Sequence, residues 1–434
     1  MGDFRRWVRP LAMSTVAGVA VACGSSEQGP RTHPDAGEKP DAARDASHPG
    51  SSAGGAGGAG AGGAAGSSGV SGMMGAGCAL GADAGPSLLS AGNSEPDAST
   101  VMDAFDAGGG DASARDAAVT HHDAGADGSL GKDSGTTPAS YPPLEFAKIG
   151  KVAVISNQFL FTEGPVWDPA SEVLFFTDIN ADVVYRLKLP DTLDVAADHV
   201  GNADGLALHP EGYLIGAGFV SRDIWKFDGT KVTSVVQDYR GRKLNSPDDL
   251  IARSDGVIYF TDPTFGIDGS QGFTAQVPEL CFQGVYRLTS TALYLEDSST
   301  GGPNGVNFSP DEKTLYVSYT GSGQIFSFDV ARDGALSNKQ LFATVLLPDS
   351  MCVDAGGNLY AATFSGITVY DPKGKQLGVI ATPGQVPTNC AFGGPDQRTF
   401  FITARTGLAG TPTKGNSSLL RVDGMPVPGM PGKN

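Results

Sequence analysis

The chain has 434 residues, a net charge of −17 and 18% charged side chains. An acidic balance without a basic stripe excludes nucleic acid as an expected partner. Composition also divides the chain: residues 24–140 are dominated by Gly, Ala, Ser and Asp and hold 15 acids against 5 bases, with almost no aromatics.

The first 23 residues place Arg5, Arg6 and Arg9 ahead of a short apolar run ending at Cys23. That run is too short to span a bilayer and reads as an export signal. Its "AVAC" ending resembles a bacterial lipobox, with Ala20 where Leu is usual. The resemblance implies lipidation of Cys23 and an exported, membrane-anchored lipoprotein on the periplasmic or cell-surface side. The lipid anchor would be its only contact with the membrane. Residues 24–140 cannot bury enough apolar surface to offset their ordering entropy, so a disordered linker is expected there. As a flexible coil it would reach about 60 Å root-mean-square. A folded part is expected over residues 141–424 and a flexible tail over 425–434. Cys281, Cys352 and Cys390 show no Cys-x-x-Cys spacing, which indicates neither zinc nor a redox pair. A bridge among them is left open.

From Glu163 onward the chain repeats itself. "EGPVWDPASEVLFFTDI", "DGLALHPEGYLIGAG", "DDLIARSDGVIYFTD", "NGVNFSPDEKTLYVSY", "DSMCVDAGGNLYAAT" and "NCAFGGPDQRTFFIT" begin at residues 163, 204, 248, 304, 349 and 389. Each joins a short apolar run to a Pro/Asp/Gly turn and an alternating aromatic/β-branched run, the pattern of antiparallel strands. A period of about 40 residues per four-stranded unit is that of a β-propeller blade. The fold class is therefore all-β, a six-bladed β-propeller. Lys148–Ser156 is expected to supply the outermost strand of the last blade and close the ring. An insertion, roughly Thr264–Gln283, falls between the second and third strands of the third blade.

The residue opening each inner strand sits at one end of the central channel. Across the six repeats it is Glu163, Asp204, Asp248, Asn304, Asp349 and Asn389, each bearing a side-chain oxygen. Convergent carboxylate and amide oxygens are what a hard divalent cation requires. Without a cation the carboxylates would repel one another and their pKa values would rise.

"EGPVWDPASEVLFFTDI", "LNSPDDLIARSDGVIYFTDPTFGI", "PNGVNFSPDEKTLYVS", "PDSMCVDAGGNLYAA" and "PTNCAFGGPDQRTFFIT" resemble, in order, the signature segments of the gluconolactonase / senescence-marker-protein (regucalcin) / luciferin-regenerating-enzyme family. The resemblance covers nearly all of residues 150–424. It implies hydrolysis of sugar lactones or related esters, with one divalent metal, calcium first and zinc, manganese or magnesium as alternatives. It further implies Glu163, Asn304 and Asp349 as metal ligands, Asp248 near or on the metal, and Asp349, or a metal-bound water, as the base. Asp204, Asn245, Asp249 and Asn389 complete the expected surroundings of the substrate. Two residues depart from the family pattern: Asp248 and Asp204 stand where Asn is usual, replacing neutral amides with acceptor-only anions. Ser246 stands where animal members carry a substrate-binding Arg.

The partner is therefore expected to be a small-molecule lactone or ester, bound by a monomer. A non-catalytic metal-containing binding lipoprotein and a phosphotriesterase-like activity are the alternatives. No Ser-His-Asp set or Gly-x-Ser-x-Gly elbow is present, and His209 lies in a turn, "LHPEG".

Overall fold

Period-two alternation and Gly/Asp/Pro turns fold each of the first five sequence repeats into four antiparallel strands and the sixth into three. The structure, a computed structural model, describes residues 87–88, 141–299, 301–407 and 412–430. The export signal, Cys23 and nearly all of the linker lie outside these residues.

Blade one comprises Thr162–Asp168, Val173–Asp178, Val183–Lys188 and Thr192–Asp198. Blade two comprises Ala203–Leu208, Leu214–Gly218, Asp223–Phe227 and Val232–Val236. Blade three is built from Leu250–Ala252, Ile258–Asp262, Gln283–Leu288 and Ala292–Ser299. Blade four follows with Pro303–Phe308, Thr314–Tyr319, Gln324–Val330 and Leu336–Thr344. Blade five is formed by Met351–Val353, Leu359–Thr363, Gly366–Tyr370 and Gln376–Ile380. In blade six, Val386–Gly393, Thr399–Arg405 and Ser417–Val422 are completed by Ala153–Phe159 from the start of the folded part. The ring thus closes as expected, with a closing strand that begins five residues later. Among the described residues the only helical turns are two short 3₁₀ segments, Phe146–Lys148 and Ile179–Ala181.

The inner and middle strands are buried on both faces, one toward each neighbouring blade, whereas outer strands such as Thr192–Asp198 are largely exposed. Among the described residues, six buried clusters lie one per blade interface, and a seventh gathers Phe161, Ile179 and Phe219. Ile215 and Ile224 meet Phe260 and Tyr286 between blades two and three. Tyr360 and Val369 meet Phe392 and Phe400 between blades five and six. Phe159 and Phe401 meet Trp167 and Phe176 where blade six meets blade one. Each fully buried large side chain contributes about 1.5–3 kcal/mol, so the ring is held radially rather than by one central core.

Two expectations need correction. Ser87–Leu88, in the stretch expected to be a disordered linker, pairs antiparallel with Ala292 and Leu293 on the outer edge of blade three. An exposed outer strand offers unpaired backbone groups, which this short strand satisfies. Residues 425–430, expected as a flexible tail, pack on the propeller: Met425 and Val427 are buried, and Gly429 bridges to Asp354. Cys281 is disulfide-bonded. Cys352 and Cys390 are free and buried, with Sγ atoms 2.9 Å apart, so neither bridges Cys281.

Near the axis, inner strands of adjacent blades approach too closely for side chains. A Cβ on Gly305 would lie 2.5 Å from Ser350 Cα and 2.7 Å from Asp349 O, both backbone atoms. Gly305→Ala is expected to cost about 1–3 kcal/mol, because backbone cannot yield as a side chain can. Urea unfolding of the full-length chain checks this, and an unchanged midpoint would contradict it.

Candidate active site

The axial ring is placed by three local devices. The first is a β-bulge. Register between inner and second strands slips between Glu163 and Val166, Ala203 and Leu206, Pro303 and Val306, and Pro387 and Asn389. A bulge re-aims the extra residue out of the ladder, here toward the axis. The second is a hydroxyl from one blade that grips the ring residue of the next. Thr177 Oγ1 donates to Asp204 O at 2.8 Å, Thr261 Oγ1 to Asn304 O at 2.6 Å, and Ser318 Oγ to Asp349 O at 2.7 Å. The third is an aspartate at the end of a second strand that caps the loop leading to the ring. Asp178 accepts the N–H groups of Leu160 and Phe161, and Asp262 accepts that of Asn245.

These devices bring Glu163, Asp204, Asp248, Asn304 and Asp349 onto one cavity of about 190 Å³. The blade-six member is different from the one read in sequence. Thr388, in the bulge, lines the cavity, while Asn389 does not. Asn389 Oδ1 instead accepts the N–H of the next residue, Cys390, at 2.7 Å. Asp249 Oδ1 does the same to Leu250 at 2.9 Å, so Asn389 is the counterpart of Asp249, one place beyond the ring. Asp249 also accepts the N–H of Val306 and stitches blade three to blade four. Asn245 lies outside the cavity wall: its amide nitrogen donates to Asp262 O and Phe282 O and ties down the root of the insertion.

The rest of the wall is apolar on one side, where Phe161, Phe219 and Phe265 converge, and polar at Arg405, Gln271 and Thr388. The insertion supplies Phe265 and Gln271, and so shapes the cavity. Gln271 O accepts from Asn180 Nδ2 at 3.2 Å, and Gln276 Oε1 accepts from Arg222 at 3.2 Å, which moors the insertion to blades one and two. Sequence reading missed Thr177, Thr261, Ser318, Thr388, Gln271 and Arg405. The hydroxyls had a signal, a Thr or Ser near the end of the second strand in "FFTD", "YFTD" and "YVSY". Arg405 and Gln271 had none, since their meeting depends on the path of the insertion.

Electrostatics dominate the cavity floor. Burial, then the charges of Asp349 and Asp249, holds the Glu163 carboxyl well above the usual carboxylate range. Burial and the neighbours Asp248 and Glu163 do the same to Asp204. For Asp248 the causes are burial followed by Asp349 and Glu163. Asp349 is pushed up to about 7 by burial, against the opposing pull of an Asn304 hydrogen bond and the Arg405 charge. Among the described residues, no three acidic, histidine or cysteine side chains form a ready-made chelate by themselves. An ion here would therefore need the Asn304 amide oxygen, or further backbone or solvent oxygens, in its shell. All-oxygen donors, mostly carboxylate and buried against mutual repulsion, fit a hard divalent cation.

A six-bladed propeller with an acidic axial cavity defines the class. The SMP-30/Gluconolactonase/LRE-like region matches residues 161–406. The gluconolactonase of Zymomonas mobilis is 32% identical over 292 residues, covering 61% of this chain and 81% of that protein. The pentonolactonase XacC of Haloferax volcanii is 27% identical, covering 58% and 84%. A solved gluconolactonase from Xanthomonas campestris is 35% identical with a TM-score of 0.57, covering 64% and 90%. The chain belongs to the SMP-30/gluconolactonase/LRE-like family.

A carboxyl whose pKa is higher folded than unfolded binds more protons in the native state. Its contribution to stability is complete below the unfolded value of about 4. It is lost as pH rises through the folded value, about 7 for Asp249, Asp262 and Asp349. Chelator-treated protein is therefore expected to melt at a lower temperature at about pH 8 than at about pH 5.5. The double substitution Asp204→Asn with Asp248→Asn should flatten that dependence. A wild-type melting temperature that climbs over the same interval contradicts this.

Proposed function

We propose that the protein is a metal-dependent hydrolase of sugar lactones or related esters. The observation that carries this reading is the gathering of Glu163, Asp204, Asp248, Asn304 and Asp349 on one cavity, in a chain of this family. Glu163, Asn304, Asp349 and Asp248 would hold the ion, with calcium favoured by a set made only of oxygens. When bound, the ion supplies Lewis acidity that polarises the lactone carbonyl and favours negative charge on its oxygen.

The chain's own groups do the rest. Water adds through its oxygen to the carbonyl carbon, and Asp349 accepts the proton it loses. A carboxylate within reach of the attacking water suits that exchange. The ring C–O bond then breaks, and Asp349 returns the proton to the departing ring oxygen, leaving a hydroxy acid. Phe161, Phe219 and Phe265 wall the cavity, exclude bulk water and so strengthen the interactions at its floor. Thr261 and Ser318 hold the backbone of Asn304 and Asp349 in place.

We further infer from the sequence that the chain is exported and anchored through a lipidated Cys23, and that it acts as a monomer on a small molecule. Mass spectrometry of the membrane fraction tests the anchor.

Hydrolysis of an aldonolactone by the full-length protein is expected to vanish on chelation and return with calcium. Asp349→Asn should lower kcat by about 10²-fold or more while the protein stays folded. Turnover that survives chelation, or an Asp349→Asn protein as active as wild type, sinks the proposal. A folded protein with no turnover of any aldonolactone favours the binding-lipoprotein alternative. Asp248→Asn is expected to keep or raise kcat/KM, since it restores a donor and removes one negative charge. Loss of metal binding in that variant would show that the aspartate is an indispensable ligand.

A further inference from the structure

We propose that Arg405 selects the substrate, and that it selects a lactone bearing a carboxylate group; this rests on the lactonase reading above. Arg405 is the last residue of the second strand of blade six, paired with Val386 on one side and Ser417 on the other. It is only 7% exposed, and it lines the same cavity as the acidic ring.

A buried guanidinium normally has a carboxylate partner. Arg253 pairs with Asp255 and Arg287 with Glu296, while Arg222, away from the cavity, is held by Leu244 O and Gln276 Oε1. Arg405 has no ion pair among the described residues. Among the described residues its side chain donates once, from Nη1 to the neutral Oε1 of Gln271 at 3.0 Å. The guanidinium lies 4.2 Å over the ring of Phe161, which fixes its plane. The charges of Asp349 and Glu163 act on it across the cavity without forming a contact. The arrangement therefore leaves a space with acids at one end and an unpaired planar cation at the other.

A substrate that bridges this space presents its carbonyl to the acidic end and an anionic oxygen pair to Arg405. A planar fork of N–H donors matches a carboxylate in two parallel hydrogen bonds. The aromatic wall lowers the local dielectric and strengthens that pairing. Gln271 accepts from Arg405 through its oxygen, so its amide N–H groups remain to donate to the same ligand. If Arg405 merely balanced the charge of the acidic ring, its loss would affect all lactones alike. Docking of a carboxylate makes the loss selective.

The test measures kcat and KM of the full-length, calcium-loaded protein on neutral D-glucono-1,5-lactone and on D-glucaro-1,4-lactone, which carries a carboxylate. Wild type, Arg405→Lys and Arg405→Gln are compared, and melting curves confirm folding. Wild type should prefer the carboxylate-bearing lactone. Arg405→Gln should erase at least about tenfold of that preference, chiefly through KM, with Arg405→Lys intermediate. Calorimetry with the ring-opened acids, glucarate and gluconate, gives a readout independent of turnover: wild type should bind glucarate more tightly, and Arg405→Gln should not. An absent wild-type preference, or an equal fall for both lactones, overturns the proposal. If neither lactone is hydrolysed, the lactonase reading fails. The calorimetric comparison still decides the role of Arg405, since glucarate binding no tighter than gluconate binding overturns it.

Discussion

Like charges buried together are the constraint on which the rest of this molecule depends. Glu163, Asp204, Asp248 and Asp349 share one cavity, and burial followed by mutual repulsion raises the pKa of Glu163, Asp204 and Asp248 well above the usual carboxylate range. Side chains free to move would swing out into water and relieve that repulsion. Here Glu163 and Asp204 are held at bulges, Asp248 and Asp349 by backbone hydrogen bonds to the neighbouring second strand, and all of these by strands packed on both faces. The six apolar clusters between blades oppose the electrostatic strain at the axis.

The acids differ in character because their backing differs. Asp349 has an amide hydrogen bond and a nearby guanidinium that oppose the effect of burial, and it settles at about 7. Asp204 has only burial and four acidic neighbours, all raising its pKa. That difference separates a carboxyl whose surroundings partly oppose the effect of burial from one whose surroundings only add to it. The carboxyls at 204 and 248 thus leave this cavity with more mutual repulsion than a ring with two amides there would have.

Much of this was legible in the sequence because a propeller repeats. Turn residues and alternating strands recur at about the same spacing, so aligning repeats placed Glu163, Asp204, Asp248, Asn304 and Asp349 together without any knowledge of distance. Blade six slipped by one place for a physical reason. Thr388 and Asn389 are both polar, and only the bulge between Pro387 and Asn389 decides which of them faces the axis. Asn245 looked like a site residue beside the acidic pair, yet its amide serves the root of the insertion. Arg405 was invisible because its importance comes from Phe161 and Gln271, which are 244 and 134 residues away in the chain. Ser87–Leu88 was masked by a composition that argues against structure and ignores an outer strand edge offering backbone bonds.

The proposal that the axial ring takes up a cation in exchange for protons is tested most directly by calorimetry. Calcium is titrated into chelator-stripped full-length protein at about pH 6, in two buffers of different ionisation enthalpy. Binding of one ion accompanied by net proton release, shrinking as pH rises past about 7, is the predicted result. Absence of binding, or binding without proton release at about pH 6, would contradict the claim.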